Sequence, residues 1–293
     1  MIPTPDQVDL LLYHAGCWDG FTAAWVAWLF RGDACEYVPV YHSEPPPDVT
    51  GRNVAIFDFA YKRPVLEQMA AAATSLVIVD HHKSAWADLA GLDYAVFDMN
   101  RSGARLAFDW FLGKHDSWVK LQGSSGPRVN AVERLCDCVQ DRDLWRWALP
   151  NSREISEAMK ILPFEFGAWS QFCQDLAFNQ QGVIDTGHAL LAMTKQHLQI
   201  LAQTAEIARL DDHVVWVACA PYIYASELGH LLCTRSGAGV FDDRSARRDR
   251  RDRDDGAPQP AADQTGAGRG CSGYGCGRFD DGDDDCRLAA ADR

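Results

Sequence analysis

The stretch LVIVDHHKSA (Leu76–Ala85) decides how this chain is read. Leu76, Val77, Ile78 and Val79 form a short, continuous, largely β-branched run, the signature of a strand buried on both faces. The run stops on Asp80, His81 and His82. In open parallel α/β sheets, ligands bind beyond the carboxyl ends of the strands. An acid and two imidazoles at such an end therefore raise the question of what the other strands deliver to the same edge.

Working outward, VDLLLYH (Val8–His14), CEYVPVY (Cys35–Tyr41) and NVAIFDF (Asn53–Phe59) read as strands, and DYAVFD (Asp93–Asp98) adds one more. Pro39 marks the second as an edge or bulged strand, because it has no N–H to donate. DGFTAAWVAWLF (Asp19–Phe30) and RPVLEQMAAAA (Arg63–Ala73) read as helices, the latter with Pro64 in its first turn, where a missing N–H costs little. Strands alternating with helices at these spacings predict an α/β fold with a doubly wound, mostly parallel sheet.

From Ser102 to Ile207 the pattern is helical. SGARLAFDWFL begins on a serine cap, PRVNAVERLCDCVQD has apolar residues at helical spacing, and NSREISEAMKI is capped by Asn151 or Ser152. A long helix is expected from near Gly182 to Leu210. HVVWVACAPYIYASELGHLLC then restarts a strand-to-helix pattern. The expected organisation is a catalytic α/β domain over 1–145, a helical connector over 146–210, and the start of a second α/β domain over 211–237. Residues 238–293 hold almost no aliphatic side chains and abundant Asp, Arg and Gly, so disorder is expected there. Such a composition is also what GC-rich codons yield out of frame, and a break near Gly237 is expected to leave Val214, Trp216, Leu228 and Leu232 with exposed apolar faces.

Composition narrows the function. The 293 residues carry a formal net charge of −13, which argues against a surface built for stable duplex DNA binding. No run approaches the roughly 20 apolar residues of a membrane span, and the N-terminus lacks the pattern of a secretory signal, so a cytoplasmic protein is expected. The ten cysteines form no C-x-x-C pair. Cys35, Cys173, Cys219 and Cys233 sit in apolar sequence, and buried reduced thiols are the expected state.

Each candidate strand reads as ending in an ionisable group: His14 with Asp19 just beyond it, Asp58, Asp80-His81-His82, and Asp98. CVQDRDLWRW (Cys138–Trp147) then supplies Asp141 and Asp143. One acid at a strand end is ordinarily a cap or turn residue. Several converging carboxylates would repel one another unless cations neutralised them, and a mixed oxygen and imidazole set suits Mn²⁺, Mg²⁺, Fe²⁺ or Zn²⁺. Lys83, Arg101, Arg142 and Arg105 are candidates for holding an anionic substrate. Trp145 and Trp147 could stack a base, although their spacing near a helix end fits packing better. His115, His188, His197 and His213 have no partner motif.

LYHAGCWDGFTAA, IFDFAY, VIVDHHKSA and CVQDRDLW, in this order, resemble the motifs of the DHH phosphoesterase superfamily. This superfamily includes RecJ-type exonucleases, oligoribonucleases, cyclic-dinucleotide phosphodiesterases and manganese pyrophosphatases. The resemblance covers the first half of the chain and extends into the connector. It implies a two-metal site, with Mn²⁺ as the cofactor and Mg²⁺ as a substitute. Asp58 resembles the carboxylate that bridges both metals, Asp19, His81 and Asp141 the other ligands of one, and His14 a ligand of the second. His82, with Asp80 beside it, would face the substrate phosphate in the catalytic role. Where the family often has Asp-x-Asp-Gly, this chain has CWDG, so Cys17 stands in place of the first Asp. That leaves Cys17 open as a ligand, a bystander, or the mark of a weakened first site.

The resemblance implies hydrolysis of short single-stranded oligonucleotides or small nucleotide phosphoesters by a hydroxide that two cations activate. The alternatives are a pyrophosphatase or polyphosphatase, and a non-catalytic remnant that binds metal or nucleotide. The last has its warrant in Cys17 and in the lack of a G-G-G-H-like stretch, which the family uses to bind substrate.

Overall fold

The computed structural model describes residues 1–42, 44–113, 129–210, 213–235, 277–279 and 288–290. The described residues divide into two compact units, 1–191 and 192–293.

The first unit is built on five parallel strands, β1 (Leu10–His14), β2 (Glu36–Val40), β3 (Asn53–Phe57), β4 (Ser75–Asp80) and β5 (Ala95–Phe97), in the order β2-β1-β3-β4-β5. The doubly wound α/β architecture expected from the sequence is the one found. Both faces of the inner strands are covered. Leu11, Tyr13, Ala55, Phe57, Val77 and Val79 point into one apolar cluster with Trp25, Phe108, Leu135 and Trp169. Their neighbours Leu10, Leu12, Val54, Ile56, Leu76 and Ile78 point into another with Leu66, Met69 and Leu89. This period of two explains why the strands read as unbroken apolar runs, each large side chain contributing about 1.5–3 kcal/mol by leaving water.

The helices of this unit are α1 (Trp18–Arg31), α2 (Arg63–Ala72), α3 (Lys83–Leu89), α4 (Gly103–Phe111), α5 (Val129–Asp143), α6 (Ser152–Met159) and α7 (Phe166–Phe178). Ser102 caps α4, its hydroxyl accepting from the Arg105 N–H. Asn151 is the N-cap of α6 but makes no side-chain cap bond. Helices α6 and α7, expected in a connector, contribute Ile155, Met159, Trp169 and Phe172 to the core of the first unit. Trp25 donates to the Ser170 hydroxyl at 3.0 Å and Trp169 to the Thr22 hydroxyl at 3.2 Å, tying α7 to α1. Pro39 lies on β2, an edge strand, as its missing N–H requires.

The chain steps from β2 on one side of β1 to β3 on the other, which makes the carboxyl ends of β1 and β3 a topological switch point. The register aligns what lies there. Tyr13 pairs with Phe57 and Phe57 with Val79, so His14, Asp58 and Asp80 come level at the same edge.

Helix α8 (Gln180–Gln203) contains the division between the units. It ends seven residues before the expected limit at Leu210, with the Thr204 hydroxyl donating to the Leu201 carbonyl at 2.8 Å. Glu206–Leu210 forms a strand, β6, antiparallel to β7 (His213–Val217), and Ile207 faces Trp216 across the pair. A cross-strand partner outcompetes one more helical turn here. Helix α9 (Ala225–Arg235) follows. Leu228 and Leu232, expected to be exposed, are buried with Leu198 and Ala202, whereas Val214 is exposed as expected and Trp216 is partly buried. Cys219 is exposed rather than packed, and the described cysteines are all free thiols.

Within the tail expected to be disordered, Gly277–Phe279 and Leu288–Ala290 pair as antiparallel strands. Its other residues, Gly237 and His115 lie outside the described residues. Among the described residues, no helix is long and apolar enough to cross a membrane.

Candidate metal centre

Asp58 is the hub. It follows β3 with its backbone in the left-handed region, φ 56°, a conformation few non-glycine residues adopt, although Asp tolerates it better than most. The turn sends its buried carboxylate in among imidazoles. Oδ1 lies 3.0 Å from His81 Nε2, and Oδ2 lies 3.6 Å from His14 Nδ1. His81 Nε2 is also 3.6 Å from one oxygen of Asp19 and 3.6 Å from one of Asp143. Metal-capable donors therefore gather in three overlapping sets: Asp58, Asp80, His81 and His82; His14, Cys17 and Asp58; and Asp19, His81 and Asp143.

Two glycines make this convergence sterically feasible. A Cβ on Gly20 would lie 2.5 Å from the His14 carbonyl, so only glycine lets α1 start this close to the end of β1. A Cβ on Gly103 would lie 2.5 Å from that of Asp58. The first amides of α4 take advantage of this approach: Gly103 N–H donates to Asp19 at 2.6 Å and Ala104 N–H at 2.8 Å. An anion at a helix N-terminus is favoured by both the free N–H groups and the dipole.

The electrostatics reflect crowding. Burial opposes ionisation of Asp58, yet the imidazoles of His14, His81 and His82 hold its carboxyl well below the usual carboxylate range. Asp19 goes the other way, pushed well up by burial and by the neighbouring Asp58 and Asp143 carboxylates. Burial disfavours charge on His81, but Asp58, Asp143 and Asp19 together raise it to about 10. The Cys17 thiol is also raised, by burial and then by the same three carboxylates.

This donor set fits divalent cations. Oδ2 of Asp58 is buried and has no hydrogen-bond partner among the described residues, and Oδ2 of Asp80 is in the same condition. A buried carboxylate oxygen left unpaired is costly, and a cation removes that cost. Three carboxylates sharing one pocket point to the same class of ligand.

Asp141 does not join the centre. Both its oxygens are committed to the turn after α5, accepting from Ala148 N–H at 2.9 Å, Leu149 N–H at 3.1 Å and the Ser152 hydroxyl. The last residue of α5, Asp143, takes the position expected of Asp141. The apolar stripe of α5 does not reveal this, because Asp141 is among the buried residues of the helix and Asp143 is not. Asp98 also stays apart, accepting from Asn100 N–H at 2.9 Å and ion-pairing with Arg101.

Asp80 stands behind the imidazoles. Its Oδ1 accepts from His81 N–H at 2.7 Å and from His82 Nδ1 at 2.7 Å. Burial lowers the affinity of His82 for a proton, yet the bond to Asp80 raises it to about 9, so the ring is protonated at neutral pH. Asp80 thus fixes the orientation of the His82 ring.

Among the basic candidates, Arg142 lies beside the centre, its guanidinium 4.6 Å over the Trp18 ring and lining a small cavity with Cys17, Asp19 and Asp143. Lys83 is exposed at the start of α3. Arg101 pairs with Asp98 and Asp109, and Arg105 with Asp109, Glu133 and Asp137, so both serve as ties among acidic side chains. Trp145 and Trp147 meet edge to face, and Arg153 covers Trp147. His42, not singled out from the sequence, has its ring 5.2 Å from that of His14. Its place just past a strand end is the signal that would have found it.

No family model matches the chain. Uncharacterized protein R106 of Acanthamoeba polyphaga mimivirus is 25% identical over 257 residues, which are 80% of this chain and 57% of that protein. The chain thus spans little more than half the length of this relative. A crystal structure of an uncharacterized protein from Helicobacter pylori G27 shares 14% identity over 78% of this chain and 80% of that one, with a TM-score of 0.36.

Proposed function

We propose that the first unit is a cation-dependent phosphoesterase acting on short single-stranded oligonucleotides or small nucleotide phosphoesters. The observation that carries this reading is the convergence of Asp19, Asp58 and Asp143 with His14 and His81 at the switch point of a parallel sheet. A pair of divalent cations, Mn²⁺ by preference with Mg²⁺ as a substitute, would lower the pKa of the attacking water and offset charge growing on the phosphate.

The chain's own residues divide the remaining work. Asp58 offers one oxygen toward His81 and the other toward His14, so it serves both halves of the centre. Asp19, His81 and Asp143 complete one half and His14 belongs to the other. His82, held through Nδ1 by Asp80, keeps its second nitrogen to donate to a non-bridging phosphate oxygen. Arg142, lining the cavity beside Asp19 and Asp143, supplies positive charge for the substrate.

Purified full-length chain is expected to hydrolyse a dinucleotide with Mn²⁺ and to stop in chelator. Pyrophosphate offered in parallel distinguishes a pyrophosphatase. Asp58→Ala should lose both cations and turnover together. Hydrolysis that persists in chelator, or no turnover of any phosphoester at saturating Mn²⁺, overturns the proposal.

A further inference from the structure

The two halves of the centre differ in chemistry. One is Asp19, His81 and Asp143, two carboxylates and an imidazole. The other is His14, Cys17 and Asp58, an imidazole, a thiol and a carboxylate. In the second, the donor atoms all lie within 4.8 Å of one another. It is built by a short turn: His14 ends β1, Gly16 reverses the chain at φ 66°, and Cys17 is the N-cap of α1 with extended backbone. The Gly20 N–H of the first turn of α1 reaches the Cys17 sulfur, a contact that favours a thiolate there. The unpaired Oδ2 of Asp58, nearly inaccessible to solvent, belongs to this half. Its 3.6 Å separation from His14 Nδ1 is too long for a hydrogen bond. It is close to the roughly 3.4 Å edge of a tetrahedron drawn with ordinary Zn–N and Zn–O bonds.

We propose that His14, Cys17 and Asp58 hold a borderline-soft cation of the Zn²⁺, Co²⁺ or Fe²⁺ class through a thiolate, while Asp19, His81 and Asp143 hold a harder one such as Mn²⁺. The centre is then a site for two unlike cations. Sulfur is a poor ligand for Mg²⁺ and Mn²⁺ and a good one for the later divalent metals, whereas carboxylates favour the harder ions. On binding, the thiol proton passes to buffer and the metal–sulfur bond takes its place. This rests on the reading that the cluster takes cations.

The test uses the full chain, stripped with chelator and titrated with Co²⁺. One equivalent should produce a near-ultraviolet thiolate-to-cobalt charge-transfer band, and Zn²⁺ but not Mn²⁺ should abolish it by displacement. Cys17→Asp should lose the band while still binding two cations, and its preference for Zn²⁺ over Mn²⁺ should fall at least about tenfold. Cys17→Ser serves as a second variant, and the measurement on the parent chain needs neither. Two Co²⁺ bound without the band, or a band that survives in Cys17→Asp, overturns this inference and leaves the cation reading standing. If no cation binds at all, both fall.

Discussion

Asp143→Asn is expected to weaken cation binding while leaving the melting temperature near that of the parent. Asp143 is partly exposed, and one of its carboxylate oxygens lies 3.6 Å from His81 Nε2. Asp141→Ala should do the reverse, because it leaves the amides of Ala148 and Leu149 without their acceptor. The buried Ser152 hydroxyl loses its acceptor as well, at a cost of about 1–3 kcal/mol, and each kcal/mol lowers the midpoint of a unit this size by roughly 2–4 °C. Calorimetry on the two variants, with a cation titration of each, separates the roles. His81 sets a second expectation. Its folded pKa of about 10 means the metal-free ring holds a proton at pH 7, and a ligating imidazole must give that proton up. Raising the pH removes protons that compete with the cation, so apparent affinity should climb between pH 6 and 8. Calorimetric titration in buffers of different ionisation enthalpy should register the released proton. An affinity that is flat or falls with pH would remove His81 from the ligand set.

At the scale of elements, the approach of α4 to β3 is the feature most sensitive to one atom. Gly103→Ala sets a methyl 2.5 Å from the Asp58 Cβ and 3.1 Å from an Asp19 oxygen, so helix and strand end must part. The expected result is a folded chain of lowered stability whose cation affinity falls at least about tenfold, since ligands displaced by even 1 Å lose their geometry. Retained parental affinity would mean that α4 does not set the position of Asp58. Elements of this kind also mark how far the sequence could be read. The inner strands were legible because burial on both faces demands unbroken apolar runs, and Asp58, His81, His14 and Asp19 were legible because they end or follow such runs. Choosing between Asp141 and Asp143 required knowing which side of α5 faces the sheet: two residues apart on a helix, they point some 200° away from each other. The hairpin of β6 and β7 was hidden because Glu206–Leu210 becomes a strand only through its partner.

Across the whole molecule, one sheet helps bring candidate ligands together from four distant segments, and it does so by being open, with two edges. An open edge is a template on which another chain can lay a strand. β5 limits that risk by its three-residue length. β2 is longer and relies on Pro39, which withdraws a donor midway along the edge, and on Glu36, whose charge resists stacking against a copy of itself. Pro39→Val would complete a β-branched edge strand, Tyr-Val-Val-Val, without touching a single residue of the cation centre. Light scattering from concentrated protein should then rise with time, while cation stoichiometry in freshly prepared monomer stays at the parental value. The proline that interrupts β2 is, on this view, a device of colloidal stability: it keeps a crowd of identical molecules apart.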